Sequence, residues 1–348
     1  MRTYASATVS PVTARGWAAP IALIVLWFAA HAALAQSLGW EGPTGVFVTP
    51  LAYTAASPAK GIGNPAVAYH FLAGGPVIGD HSTVSVTEGF AKRFEFGFTE
   101  VVHAAGAYGD EGKYTDSTGA FDPPSNLFGD FSILHVKANL LPENFHKNNW
   151  VPAVSAGAIY RFNDQFGANL NNFLTYDSDD GQTTADQRTN NEDIYVVATK
   201  IVTQTKPIPI LLSAGLRGTN SSLWGFAGNS PGFEGKVFGA AALIFTGPKK
   251  STIIIGSEVS EQPRHIYSNL LALEGAPKWV QNGLFDVPTS EVYAARIVPF
   301  AKRKFNVDVG VLHAGNDISG PLVQDALDVN HLYINARARV GFGLSYAF

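Results

Sequence analysis

Residues 332–348 read LYINARARVGFGLSYAF. Leu332, Ile334, Ala336, Ala338, Val340, Phe342, Leu344, Tyr346 and Phe348 fall on one parity and are all apolar. The other parity carries Tyr333, Asn335, Arg337, Arg339, Gly341, Gly343, Ser345 and Ala347. A period of two held this long is strand behaviour, because a helix would scatter these side chains around its circumference. The run is also longer than the roughly 5 to 6 residues of a typical soluble strand. A bilayer-crossing strand of about 9 to 11 residues with an extension fits it better.

The same alternation recurs upstream. Val154, Ala156, Ala158, Tyr160 and Phe162 interleave with Ser155, Gly157, Ile159 and Arg161; Phe305, Val307, Val309 and Val311 interleave with Asn306, Asp308, Gly310 and Leu312. Phe94, Phe96 and Phe98 alternate with Arg93, Glu95, Gly97 and Thr99, and Ile210, Leu212, Ala214 and Leu216 with Leu211, Ser213, Gly215 and Arg217. Adding weaker segments gives strands near 64–73, 81–89, 93–103, 130–140, 151–162, 193–203, 209–218, 235–246, 252–260, 290–300, 305–314 and 331–348. Short connections alternate with long polar ones at 104–129, 163–192, 219–234, 261–289 and 315–330. This pattern predicts an all-β fold: a transmembrane antiparallel up-and-down β-barrel of about 12 strands, with both termini on the short-turn rim. Closure follows from the solvent, since an unpaired N–H or C=O in hydrocarbon costs several kcal/mol.

Residues 1–35 read as a signal peptide: Arg2 and Arg15 precede an apolar run, and Ala33-Leu34-Ala35 is a small-x-small cleavage pattern before Gln36. Residues 36–63 contain Gly42-Pro43-Thr44-Gly45 and Pro50, which suit an N-terminal periplasmic arm or partial plug, and 64–348 form the barrel. The chain has no cysteine, which excludes disulfides, thiolate metal sites and a lipid anchor. With 24 basic against 28 acidic residues, it lacks the excess of positive charge that nucleic acid selects. No cofactor or metal is expected. Asp177, Asp179, Asp180 and Asp186 cluster near Gly181, but not at the spacing of a calcium loop.

The ending Gly343-x-x-Tyr346-x-Phe348 resembles the terminal signal that bacterial barrel-assembly machinery reads on its outer-membrane substrates, although Gly341 stands where a bulky polar residue is usual. The resemblance implies that machinery as a folding partner, Gly343, Tyr346 and Phe348 as the assembly signal, and the outer membrane of a Gram-negative-type bacterium, with its lipid and lipopolysaccharide, as the destination. Over residues 130–315, the runs Trp150 to Val154 with Gly157 and Tyr160-Arg161, Tyr195 to Lys200, and Leu216 to Asn220 with Gly225-Phe226 resemble a family of exported, outer-membrane-like proteins known only as a domain of unknown function. That resemblance implies the fold and brings no site residues.

Alternation places Arg93, Lys137, Arg161, Lys200, Arg217, Arg296, Arg337 and Arg339 on the lumen side, against Glu95, Glu258 and Asp308. Eight cations against three anions would make a positive interior, the field used by anion and phosphate pores. The expectation is therefore a small channel passing anionic or polar solutes by diffusion. The alternatives are a non-conducting barrel with a structural, surface-exposed or polymer-export role and, further off, an outer-membrane lipid hydrolase. Against a hydrolase, no His-x-Ser occurs, and His81-Ser82 puts its two side chains on opposite faces.

Overall fold

The computed structural model describes residues 37–74, 79–104, 129–169, 188–205, 207–226, 228–263, 265–266, 284–285, 287–299, 304–315, 318–325, 328–334 and 338–348. Its strands are β1 (Ala66–Ala73), β2 (Asp80–Phe90), β3 (Phe94–Ala104), β4 (Phe131–Leu141), β5 (Ala153–Phe162), β6 (Asn190–Val202), β7 (Ile210–Ser221), β8 (Asn229–Thr246), β9 (Thr252–Ser260), β10 (His265–Ile266), β11 (Leu284–Phe285), β12 (Ser290–Val298), β13 (Phe305–Ala314), β14 (Ile318–Asp325), β15 (Asp328–Ile334) and β16 (Arg339–Ala347). Twelve of them close a barrel in the order β1-β16-β13-β12-β9-β8-β7-β6-β5-β4-β3-β2. The closing pair, β1 with β16, is antiparallel, running from Ala66 opposite Ala347 to Leu72 opposite Gly341. The backbone of Phe348 extends this seam by donating to Pro65 O at 3.1 Å, while Asn64 Nδ2 donates to Phe348 O at 3.0 Å. Gly343, Tyr346 and Phe348 therefore lie where the sheet closes, with the Tyr346 and Phe348 rings edge to face on its outside.

Alternation dictates the two faces. Val84, Phe96, Val136, Val196, Leu216 and Val309 are among the large apolar residues that stand exposed on the outer wall, while their strand neighbours are buried inside. This is an outward apolar band on a closed antiparallel sheet, the architecture of outer-membrane barrels. Among the described residues, no helix is long and apolar enough to cross a membrane.

Two expectations change. The long alternating run at the C-terminus is two elements: β15 pairs with β14 in a separate hairpin, and β16 alone enters the barrel wall. Alternation continues through both because each is a strand, and period alone cannot report which partner a strand takes. The connection placed at 219–234 is also shorter, since β7 reaches Ser221 and β8 starts at Asn229. Between them Trp224 and Phe226 turn inward and are buried at the mouth of the barrel, where Phe226 meets the rings of His81, Phe131 and Trp40.

Candidate functional site in the barrel lumen

The inner wall is built from small and hydroxylated residues. Thr83, Ser85, Thr87, Thr99, Ser155, Thr199 and Thr219 are fully buried on it. Glycines on this face act as sockets for rings on the next strand. Gly157 lies opposite Tyr195, Gly215 opposite Phe238, Gly97 opposite His135 and Gly343 opposite His70, and in each pair a methyl group on the glycine would run into the ring. A glycine shielded by a cross-strand ring keeps register without a side chain of its own.

Residues 37–56 fill what the wall leaves. Gly39 N donates to Pro43 O at 2.8 Å and Trp40 N to Phe47 O at 2.7 Å, so the segment folds back on itself as a compact loop. Gly42 sits at φ 100° against Thr99 and the His135 ring, a conformation and a clearance that only glycine meets. Trp40, Phe47, Val48 and Ala52 join wall residues Val101, Phe131, Ile133, Tyr195 and Phe238 in one apolar cluster, and Leu51 joins a second with Ile201, Leu211 and Ile254. The Phe47 ring lies over two glycines: a methyl group at Gly341 would stand 2.9 Å from it and one at Gly310 3.4 Å.

Four polar anchors fix this segment to the wall. Arg161 Nε donates to Glu41 Oε1 at 2.8 Å, and the same guanidinium reaches Asp193 Oδ2 at 2.8 Å and Asn191 Oδ1 at 3.1 Å. Arg217 approaches the same Asp193 oxygen at 3.5 Å, so one carboxylate lies between two guanidinium groups. Lys137 Nζ binds Glu95 at 2.9 Å and Thr44 O at 2.9 Å, and Glu95 accepts from Thr44 N at 2.9 Å, the Thr44 hydroxyl and Ala55 N at 2.6 Å. Glu258 accepts from Phe47 N at 2.7 Å, Thr49 N at 2.6 Å and Thr49 Oγ1 at 2.7 Å. Arg296 pairs with Asp308 at 2.7 Å and donates to Gly45 O and Val46 O at 3.0 and 2.7 Å. Buried charges are tolerable when paired or hydrogen-bonded: Arg161, Lys137 and Arg296 each face a carboxylate, and Glu258 is held by backbone N–H groups and the Thr49 hydroxyl.

The structure thus brings together Lys137, Arg161, Arg217, Arg296, Glu95, Glu258 and Asp308, and places the other candidates elsewhere. Arg93 stands exposed in the turn before β3, donating to Asn139 O and Leu140 O. Its parity is that of the lumen face, but the strand begins one residue later. Lys200 shares parity with the outward Ile194 and Val196 and binds Glu143 at 2.9 Å at the rim. Arg339 has lumen parity and is half-buried at the outer end of β16; Arg337 lies outside the described residues, as do Asp177, Asp179, Asp180 and Asp186.

Sequence reasoning missed Asp193 and Glu41, the two carboxylates around Arg161, and the Lys236–Glu234 pair at 2.8 Å on lumen-parity positions of β8. Among the described residues the inner face then carries Lys137, Arg161, Arg217, Lys236, Arg296 and Arg339 against Glu95, Asp193, Glu234, Glu258 and Asp308, and Glu41 brings the two signs level. The strongly positive interior expected from the sequence is thereby replaced by a balanced one. Two cavities between the segment and the wall are of single-water size: one of about 20 Å³ lined by Phe47, Leu211, Ala242, Ile254, Arg296 and Asp308, and one of about 10 Å³ beside Glu41 and Ile159.

At the outer end of β5, Asp164 Oδ1 accepts from Phe166 N at 3.0 Å and caps a short helical turn that buries Phe166. Burial pushes the Asp164 carboxyl up to about 7 from 3.8, against the opposing pull of that hydrogen bond. The folded turn therefore holds the proton more tightly than the unfolded chain does, and its stability falls as pH rises from about 4 to about 7. Amide-exchange protection of Phe166 and Gly167, corrected for intrinsic exchange, is expected to drop across that interval. Asp164→Asn is expected to flatten the profile, and an unchanged profile in that variant would remove Asp164 as the cause.

No protein-family model matches the chain, and no curated relative matches it in sequence. Among solved structures the barrel is similar to a KdgM porin, at 9% identity and TM-score 0.38 over 81% of this chain and 99% of that one. It is likewise similar to an outer-membrane channel of Pseudomonas putida F1, at 12% identity and TM-score 0.38 over 86% and 100%. A FadL homologue of Pseudomonas aeruginosa follows at 11% and 0.37, over 92% and 97%. The likeness is one of barrel architecture and assigns no solute.

Proposed function

We propose that the chain is an outer-membrane channel held shut by its own N-terminal segment, and that withdrawal of residues 37–56 opens a conduit for small polar or anionic solutes. What supports this reading is the way the lumen is filled. Most of its contents belong to a single terminal stretch held by polar anchors to a hydroxyl-lined wall, with Trp224 and Phe226 of the β7–β8 connection packed at one mouth, and the wall is closed by β1 to β16 without that stretch. With the segment gone, Arg161 and Arg296 each lose an anionic or carbonyl partner that Glu41, Gly45 and Val46 supply. Glu95 and Glu258 lose their segment donors as well, so emptying uncovers both signs, and the expected lean toward anions rests on Glu41 leaving with the segment and the wall keeping, among the described residues, six cations against five carboxylates. The competing reading, a permanently sealed structural barrel, draws on the single-water size of the cavities.

Excising residues 37–60 and recording single channels in planar bilayers separates the two. The full chain is expected to be silent or to open rarely, and the excised chain to conduct steadily with a reversal potential on the anion side. A folded, heat-modifiable excised barrel that stays silent would overturn the channel reading.

A further inference from the structure

The rim that carries both ends of the barrel sheet is strongly basic. Lys60, Lys92, Arg93, Lys147, Lys249 and Lys304 are all exposed there, in the arm before β1 and in the turns β2–β3, β4–β5, β8–β9 and β13's approach. Among the described residues none of the six is in an ion pair, and the acidic residues on this rim are Glu88 and Glu143, the latter held by Lys200. The opposite rim is acidic among the described residues, with Asp80, Glu100, Asp130, Asp164, Glu192, Glu234, Glu261 and Glu291 against Arg188, Lys236 and Arg339.

Two further features accompany the cations. Rings lie beside them at the same level: Phe90 and Phe94 flank Lys92 and Arg93, Phe145 precedes Lys147, and Trp150 is 72% exposed. Girdles of aromatic residues mark the interfaces of outer-membrane barrels, so the cations share that level. Lys92, Lys147 and Lys249 also occupy left-handed backbone positions, with φ of 55°, 62° and 52°. Glycine or asparagine adopts this conformation with least strain, and a lysine there keeps its charge at the expense of the backbone.

From this arrangement we infer that the short-turn rim binds anionic phospholipid headgroups of the leaflet it faces, which for an outer-membrane barrel is the periplasmic one. A soluble acidic partner would be met by the charges alone. The ring of exposed aromatics at the same height is what a lipid surface uses in addition. The inference rests on the bilayer placement of the barrel and is independent of whether the lumen opens.

The test uses the full chain refolded in phosphatidylcholine vesicles carrying chain-spin-labelled phosphatidylglycerol or phosphatidylcholine as probe. The motionally restricted fraction seen by spin resonance is expected to be at least threefold larger for phosphatidylglycerol at low salt. It should fall to parity at about 1 M salt, where the screening length is near 3 Å. The variant Lys92→Gln, Lys147→Gln, Lys249→Gln, Lys304→Gln is expected to lose most of the preference while remaining heat-modifiable. Should that variant not fold, Lys249→Gln and Lys304→Gln taken singly are each expected to remove a measurable part. Equal restriction of the two lipids by the folded wild type, or a preference unchanged by salt, would overturn the inference. So would displacement by millimolar inorganic phosphate beyond that by chloride at equal ionic strength, which would make the site a free-phosphate pocket.

Discussion

Replacing Arg161 with methionine is expected to destabilise the barrel by about 3 to 5 kcal/mol, the range for removing one partner of a buried ion pair. The guanidinium is fully buried and binds Glu41 from the segment and Asp193 from the wall, so its loss takes the closest cation from two carboxylates at once. Glu41→Gln should cost less, about 1 to 3 kcal/mol, because the amide oxygen still accepts from the guanidinium. The double variant should show a coupling of more than about 0.5 kcal/mol between the two positions. Urea unfolding followed by gel mobility or tryptophan emission measures all four corners of the cycle. An Arg161→Met variant within about 0.5 kcal/mol of wild type would mean that water already solvates this network.

Phe47→Ala is the second large effect, about 3 to 5 kcal/mol, as for other buried aromatic deletions. The ring is 2% exposed, edge-on to His70 and seated over Gly310 and Gly341, and it borders the larger cavity. Neither glycine has a side chain with which to refill the space. The backbone bonds from Phe47, Val48 and Thr49 to Glu258 survive the change, so the segment should stay docked around a hole. Bilayer recordings are then expected to show a small leak absent from wild type. The control is Val309→Ala on the outer face of β13, next to Gly310, which is expected to change stability far less because its side chain is exposed on the outer wall. Equal losses for the two variants would argue against a tightly packed lumen.

The strands were legible because bilayer solvation demands one thing of every outward position, and sequence parity reports it. Phe94, Phe96 and Phe98 or Val340, Phe342 and Leu344 can be assigned to the outside with no knowledge of their neighbours. The inside obeys no such rule. In β6 the run Ile194, Tyr195, Val196 and Val197 is apolar on both parities, since Tyr195 and Val197 pack against the filling, and Lys200 was thereby given the wrong face. A one-residue slip of parity inverts a whole strand. The filling was unreadable for another reason: residues 37–56 have no period, and their partners lie as far away as Glu258 and Arg296. The signal that was present is the set of inward glycines, Gly97, Gly157, Gly215 and Gly343, each marking a ring on the next strand and hence a crowded interior. The charge imbalance expected from sequence failed at Asp193, read there as the start of a strand with no assigned facing, and at Glu41, outside the barrel strands altogether.

The anchors of the segment are spread over β3, β5, β6, β9 and β12, through Glu95, Arg161, Thr199, Glu258 and Arg296. No two adjacent strands offer the full set, so a half-assembled sheet can hold residues 37–56 by only part of it. Contacts such as Gly45 with Arg296, 251 positions apart in the chain, can form only late, and such distant pairings make folding slow. The segment is also tethered directly to β1, half of the pair that shuts the cylinder. Its capture thus becomes a check on assembly: a molecule with a strand missing or out of register would be left with a loose N-terminal tail, accessible to protease, while a correctly closed one hides it.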